Sequence, residues 1–498
     1  MAAEIKTGAP SLHRALGPVD LLLLGVGCVV GAGIYILPGV AAAEYAGPAV
    51  TLAFVAAAAA CGLTGLCYAE LATAMPIAGA SYSYVARAFG PVAAFGVGWA
   101  LTLEFLLAGA AVSTGFASYF MSLLHEFGID LPQALTQASI AGTAPTDLPT
   151  GGFHTNALAL LALLIVGGTL MRGVRESARA NAVLVVVKIS VLLTFLLIGA
   201  RHVQPALWHP FLPPSEGPFH YGASGFLRAA SVVVFAYLGF DTVATAAAEA
   251  RKPARDLPIG LIGTLTVSAL LYALVSLVLT GLVPFRTLNV PDPVAFAMAH
   301  VGYPGIGMLL RVGALAGLAS VMLANTYGHS RICFAMARDG LLPNWFTRLH
   351  PRHGTPGHGI ALTAGAAGLL AALFPIGILA DLVSIGTMVA FAGVALSVMR
   401  MRVTAPDMVR PFRLPLGGVR IGGLWLGIIP VCALFLSLTT IAVVIAGLWQ
   451  QARMGHPAAA IFLLLYVTAG CVLSVIRARI VNKTSPKQDL TVPEESIS

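Results

Sequence analysis

Three ionisable side chains stand inside long apolar runs of this sequence, where a charge costs enough to be a functional hypothesis in its own right. Lys188 lies in Val185-Val186-Val187-Lys188-Ile189-Ser190, Glu104 in Leu101-Thr102-Leu103-Glu104-Phe105-Leu106, and Asp241 closes Val234-Phe235-Ala236-Tyr237-Leu238-Gly239-Phe240-Asp241. Nine residues separate Lys188 from Arg179, so at the helical rise it sits about 13 Å along its run, too deep to snorkel easily. A lysine in such surroundings can gain and lose a proton at physiological pH. The alternative is a permanently charged lysine that bridges helices through backbone carbonyls.

Two runs carry irregular sequence where a plain lipid-facing helix avoids it. One is Gly25-Val26-Gly27-Cys28-Val29-Val30-Gly31-Ala32-Gly33-Ile34-Tyr35; the other is the stretch ending at Asp241. Interrupted segments in matching positions of two halves point to a binding site at the bilayer midplane. Unwound backbone is tolerated there only where it lines a cavity or meets a ligand. Small residues that merely let helices pack closely are the competing explanation for Gly31-Ala32-Gly33. An amino acid suits such breaks. Amides at the start of a half-helix, at Gly31, Ala32 and Gly33, can hold a carboxylate, and the carbonyls of Val29, Phe235, Ala236 and Leu238 can accept from an ammonium. Phe235 and Tyr237 are candidate gates, as rings beside an unwound backbone. On the eighth apolar run, Met322 and Asn325 are candidates for the side-chain subsite, and a thioether there favours small neutral ligands.

The elements that must position these groups follow from composition. Of 498 residues, 58% are hydrophobic and 10% charged, and the mean hydropathy is +0.89, more apolar surface than a water-soluble chain can cover. Runs near the 20 residues that span a hydrocarbon core occur at about 19–39, 48–73, 92–122, 156–171, 181–200, 228–249, 258–284, 306–336, 358–374, 377–400, 423–447 and 457–478. The expected fold class is therefore an all-α polytopic membrane protein with 12 transmembrane helices, the first and sixth broken. If the chain is a five-plus-five repeat, its halves at 19–200 and 228–400 would sit inverted because five is odd, with two further helices at 423–478. A cytoplasmic segment, 1–18, precedes them and a short polar tail, 479–498, follows. No cleavage site follows the first run, so a removable signal peptide is not expected.

Charge placement orients the chain. With both termini cytoplasmic, 22 of the 28 Lys and Arg residues fall inside, five outside (Arg201, Arg228, Arg286, Arg311 and Arg453) and Lys188 in mid-membrane, as the positive-inside rule requires. The excess of +8 thus reflects topology and no nucleic-acid partner. The loop of about 123–154 carries Glu126, Asp130 and Asp147 but no Lys or Arg and should face outward.

From about Leu16 to Arg479 the sequence resembles the cationic amino-acid transporter family of the amino acid–polyamine–organocation superfamily. The resemblance is carried by Gly25–Leu37, Pro76-Ile77-Ala78-Gly79-Ala80-Ser81-Tyr82, Trp99–Glu104, Phe235–Asp241 and Arg331–Pro343, the last a distinctive signature. It implies the LeuT-type fold, with spans 1, 2, 6 and 7 rocking against a scaffold in alternating access. In similar proton-coupled members a lysine of the fifth span takes the place of a sodium ion, which implies proton coupling at Lys188. Glu104 by resemblance neutralises the substrate amine or shapes the subsite; the alternative is a protonated carboxyl tying spans 3 and 8. Asp241 by resemblance contacts the amino group, and capping a half-helix is its alternative. Tyr35 stands where Phe is common, and twelve spans match bacterial rather than animal members. Similar proteins differ in substrate.

The expected protein is a bacterial inner-membrane importer of amino acids, with the proton as coupling ion, no cofactor and no metal. His350, His353 and His358 share a loop but are broken up by Pro and Gly, a poor metal site. Cys28, Cys61, Cys67, Cys333, Cys432 and Cys471 all fall in apolar runs without paired spacing. The chain has no HExxH, GxSxG or GxxxxGK[ST] motif, which weighs against an enzyme or an ATP-driven pump. An amino-acid or polyamine exchanger and a transport-dead amino-acid sensor are the competing functions.

Overall fold

In lipid every backbone N–H and C=O must be paired within the chain, so long apolar runs become helices. The computed structural model describes residues 16–77, 79–140, 154–171, 174–247, 250–338, 340–349 and 355–484. Lys6, Arg14, Ala78, Asp147, Asp339, His350, His353 and the tail from 485 lie outside the described residues.

The first run folds as α1 (Pro18–Val29), α2 (Ala32–Tyr35) and α3 (Leu37–Ala41), followed by α4 (Val50–Ala74), α5 (Ala80–Phe89) and α6 (Pro91–Glu126). After them come α7 (Ala157–Met171), α8 (Val174–Gly199), α9 (Gly222–Val233), α10 (Thr242–Thr245), α11 (Pro253–Leu282) and α12 (Pro293–His300). The chain continues through α13 (Pro304–Arg338), α14 (Gly357–Leu373), α15 (Ile376–Thr404), α16 (Ile428–Arg453) and α17 (Ala458–Thr484). Among the described residues eight helical stretches are long and apolar enough to cross a membrane, and shorter apolar helices accompany them at Pro18–Val29, Ala157–Met171, Gly357–Leu373 and Ala458–Ser474. The protein is a mostly helical, multi-pass membrane protein.

The two longest helices, α6 and α13, pack on one another, and α6 also packs on α15. Against this pair lies α1, which leans on α11, while α11 packs on α4. Polar residues tie the frame at its edges. The buried Glu70 carboxylate near the end of α4 accepts two bonds from Arg402 of α15, at 2.8 and 2.5 Å, and one from the Leu414 amide at 2.8 Å. The Arg402 guanidinium in turn lies 3.7 Å from the Trp425 ring centre.

Two expectations need correction. The run expected to begin a helix at 423 starts instead as a hairpin: β1 (Gly418–Ile421) pairs antiparallel with β2 (Leu424–Gly427), and α16 begins at Ile428. Gly422 and Gly423 have φ of 54° and 82°, the left-handed pair a two-residue hairpin turn demands. Arg228 and Arg311, counted among the five charges outside, are buried within the protein. Arg228 meets Asp381 at 2.5 Å, and Arg311 meets Asp292 and Glu126, each at 2.6 Å. An arginine stays in an apolar setting when carboxylates pair it.

Candidate functional site

Both irregular stretches break their helices. α1 ends at Val29; Val30 is extended (φ −74°, ψ 96°), Gly31 follows at φ −150° and ψ −134°, and α2 starts at Ala32. On the other side α9 ends at Val233, a single 3-10 turn runs through Val234–Tyr237, and Leu238 turns extended (φ −56°, ψ 142°). Gly239 then takes φ +96°, a conformation that favours glycine.

The breaks pack on each other through their glycines. A methyl group at Gly33 would fall 2.5 Å from the Ala236 Cα, and one at Gly239 would fall 3.0 Å from the Cys28 Cβ. Neither position has room for a side chain.

Lys188 of α8 is fully buried and reaches the first break. Its Nζ donates to the Gly27 carbonyl and, at 2.8 Å, to the Val30 carbonyl, so the ammonium stands at the C-terminal end of α1. A cation is favoured there by the negative end of the helix dipole. Tyr35, across the break, donates from its hydroxyl to the Lys188 carbonyl at 3.3 Å, and its own carbonyl accepts from Tyr119 at 2.8 Å.

The freed carbonyls differ in what they have left to offer. The Tyr272 hydroxyl of α11 lies 2.8 Å from both the Val29 and the Ala236 oxygens, although one hydroxyl carries one proton. Phe235 O accepts from the Leu238 amide at 3.2 Å. Among the described residues no donor reaches Leu238 O, and no acceptor engages the amides of Gly31, Ala32 and Gly33. Bare amides at one break and a bare carbonyl at the other are complementary to a zwitterion.

A cavity lies between the breaks. Of the residues singled out in the sequence, Val29, Gly31, Ala32, Gly33, Phe235, Leu238 and Asn325 line it. Ala236, Glu104, Asp241 and Met322 are buried without lining it. Glu104 lies against α15, where a methyl at Gly386 would sit 3.2 Å from its Cβ, and its Oε2 has no partner. This contact is with α15, whereas the alternative reading of Glu104 looked to the eighth run. Asp241 occupies the position before α10 without a capping side-chain bond. The Tyr237 hydroxyl is engaged by Phe54 O at 2.9 Å, which leaves Phe235 as the ring at the cavity.

Four lining residues escaped the sequence reading: Cys28, Ala108, Val112 and Val321. Their signal was spacing. Ala108 and Val112 stand four apart on α6, Val321 and Asn325 four apart on α13, so each pair shares a helix face. Asp381 also escaped it, although it stands in an apolar run, because its partner Arg228 was counted among the charges outside. His358 packs its ring 5.7 Å from Trp345, and the described residues hold no group of three or more His, Cys, Asp or Glu side chains able to bind a metal.

Comparison with known proteins bears on the whole chain. Residues 16–475 match the family model described as amino acid permease. The chain is 42% identical to the methylthioribose transporter of Bacillus subtilis (strain 168) over 81% of its own length and 85% of the relative's. It is 40% identical to the branched-chain amino acid permease BcaP of the same organism, over 82% and 85% of the two chains. A plant relative, the vacuolar cationic amino acid transporter 4 of Arabidopsis thaliana, is 36% identical over 81% of this chain and 66% of its own. These relatives are permeases and transporters, not enzymes. The chain belongs to the amino acid permease family, within the amino acid–polyamine–organocation superfamily.

Proposed function

We propose that the protein is a secondary active importer of amino acids in a bacterial plasma membrane, working by alternating access and coupled to protons through Lys188. The single observation that carries the reading is the position of the Lys188 ammonium on the carbonyls of Gly27 and Val30, at the broken end of α1. A group that changes charge there alters the field at the amides that receive a carboxylate. Proton and substrate thus bias the same break. The polypeptide crosses the membrane twelve times as an inverted repeat of five plus five helices with two added, both termini cytoplasmic. The central α6 and α13 are spans three and eight of that scheme.

Ligand contacts fall to the lining residues, with the carboxylate on Gly31, Ala32 and Gly33, the ammonium near Leu238 O and Val29 O, and Phe235 as the gate. Glu104, Ala236, Asp241 and Met322 support the walls from behind.

The test is uptake into proteoliposomes under an imposed pH gradient. Entry should accelerate with an inward proton gradient, collapse with a protonophore, and lose its pH dependence in Lys188→Ala. Uptake indifferent to the ionophore and to that substitution refutes coupling. Counterflow separates the exchanger reading, since an exchanger needs ligand on both sides, and saturable binding without flux marks a sensor. Similarity to a methylthioribose transporter supports a second reading, a solute with neither ammonium nor carboxylate. The unengaged amides and carbonyl favour the zwitterion.

A further inference from the structure

The far wall of the cavity is built by two helix faces, Ala108 and Val112 from α6 and Val321 and Asn325 from α13. Three of these side chains are aliphatic and the fourth is a neutral amide that takes no hydrogen bond from the described residues. No ionisable carboxylate or ammonium lines the space. Val321 also closes it toward the first break, where a methyl at Gly31 would sit 2.7 Å from its Cγ2. We infer that the transported amino acid carries a short uncharged side chain, aliphatic or hydroxylated, and that arginine and lysine are rejected.

This deepens the transporter reading and rests on it. The reason is desolvation: a cationic side chain entering here would lose its water and find no counter-ion. The buried carboxylates are either paired or stand behind the lining. Asp381 is paired with Arg228, Asp292 with Arg311 and Glu70 with Arg402. Glu104 lies against α15, and Asp241 sits at the start of α10. The Lys188 ammonium on the first break repels a second cation while it is protonated. A hydroxyl, by contrast, finds both a donor and an acceptor in the Asn325 amide.

Competition and direct uptake with the purified full-length protein in liposomes decide the matter, using labelled L-alanine, L-serine, L-valine, L-arginine and L-lysine. The expected result is a kcat/KM at least about 100-fold higher for the neutral set than for arginine and lysine, the discrimination of a few kcal/mol that an uncompensated buried charge brings. A second arm uses Asn325→Asp, which adds a carboxylate to the wall with almost no change in volume. It should raise lysine uptake relative to valine at least about tenfold. Where that variant does not purify as a folded protein, Val112→Asp takes its place with the same expectation. Arginine or lysine carried by the wild type as well as alanine overturns the inference and leaves the transporter reading standing. An ordered protein that neither binds nor moves any of the five sinks both.

Discussion

Replacing Asp381 by asparagine should destabilise the protein by about 3–5 kcal/mol, the cost of stranding a buried arginine. Arg228 Nη2 and Asp381 Oδ2 are 2.5 Å apart, and each side chain is 3% exposed. Nη1 of the arginine and Oδ1 of the aspartate have no hydrogen-bond partner, so one short bond joins the two charges. Tyr45, whose ring centre is 5.5 Å from the guanidinium, adds a further contact. In the D381N protein Arg228 keeps its charge in an apolar setting, and the ratio of folded to unfolded molecules should fall by between about 10² and 10⁴. Removing both charges as Arg228→Met with Asp381→Leu should instead come within about 1 kcal/mol of wild type or exceed it, because the desolvation cost disappears with the attraction. The assay is a double-mutant cycle on thermal or denaturant unfolding in one detergent, with each protein checked for monodispersity. Single variants R228M and D381L, which close the cycle, lying with D381N within about 0.5 kcal/mol of wild type would refute the reasoning, since the pair would then be hydrated.

Three other expectations concern single positions. Gly33→Ala places a methyl 2.5 Å from Ala236 backbone, so it should cost about 1–3 kcal/mol and abolish uptake; Gly62→Ala, where nothing lies within 4 Å, should be neutral or slightly stabilising. Tyr272→Phe strips the donor shared by Val29 and Ala236 and should lower the stability of the empty protein by about 1–3 kcal/mol. Because a bound ammonium can serve the Val29 carbonyl, which lines the cavity, the thermal shift on adding L-alanine should be larger in Y272F than in wild type, and an equal or smaller shift counts against an ammonium there. In the loop before α9, the Arg286 guanidinium holds the Glu216 carboxyl below the usual carboxylate range. The pair therefore contributes stability above the ordinary glutamate pKa and loses it as pH falls through the depressed one. Arg286→Gln should move the Glu216 titration upward, as read by NMR of labelled glutamate.

Much of this molecule was legible in one dimension. Apolar runs of membrane length and two glycine-marked interruptions follow from local chemistry, since each depends on residues adjacent in the chain. The same holds for Lys188, whose isolation among valines is visible without coordinates. Packing decided the rest. Whether a side chain lines the cavity depends on helix rotation and on a partner hundreds of residues away, which is why Asn325 faces the space and Met322 does not, and why Glu104 lies against α15. The rotation of α6 against α13 selected Ala108, Val112 and Val321, residues with no chemistry of their own to announce them. Pairing likewise made Arg228, counted among the charges outside, half of a buried ion pair, because a charge's environment is set by the chain that folds around it.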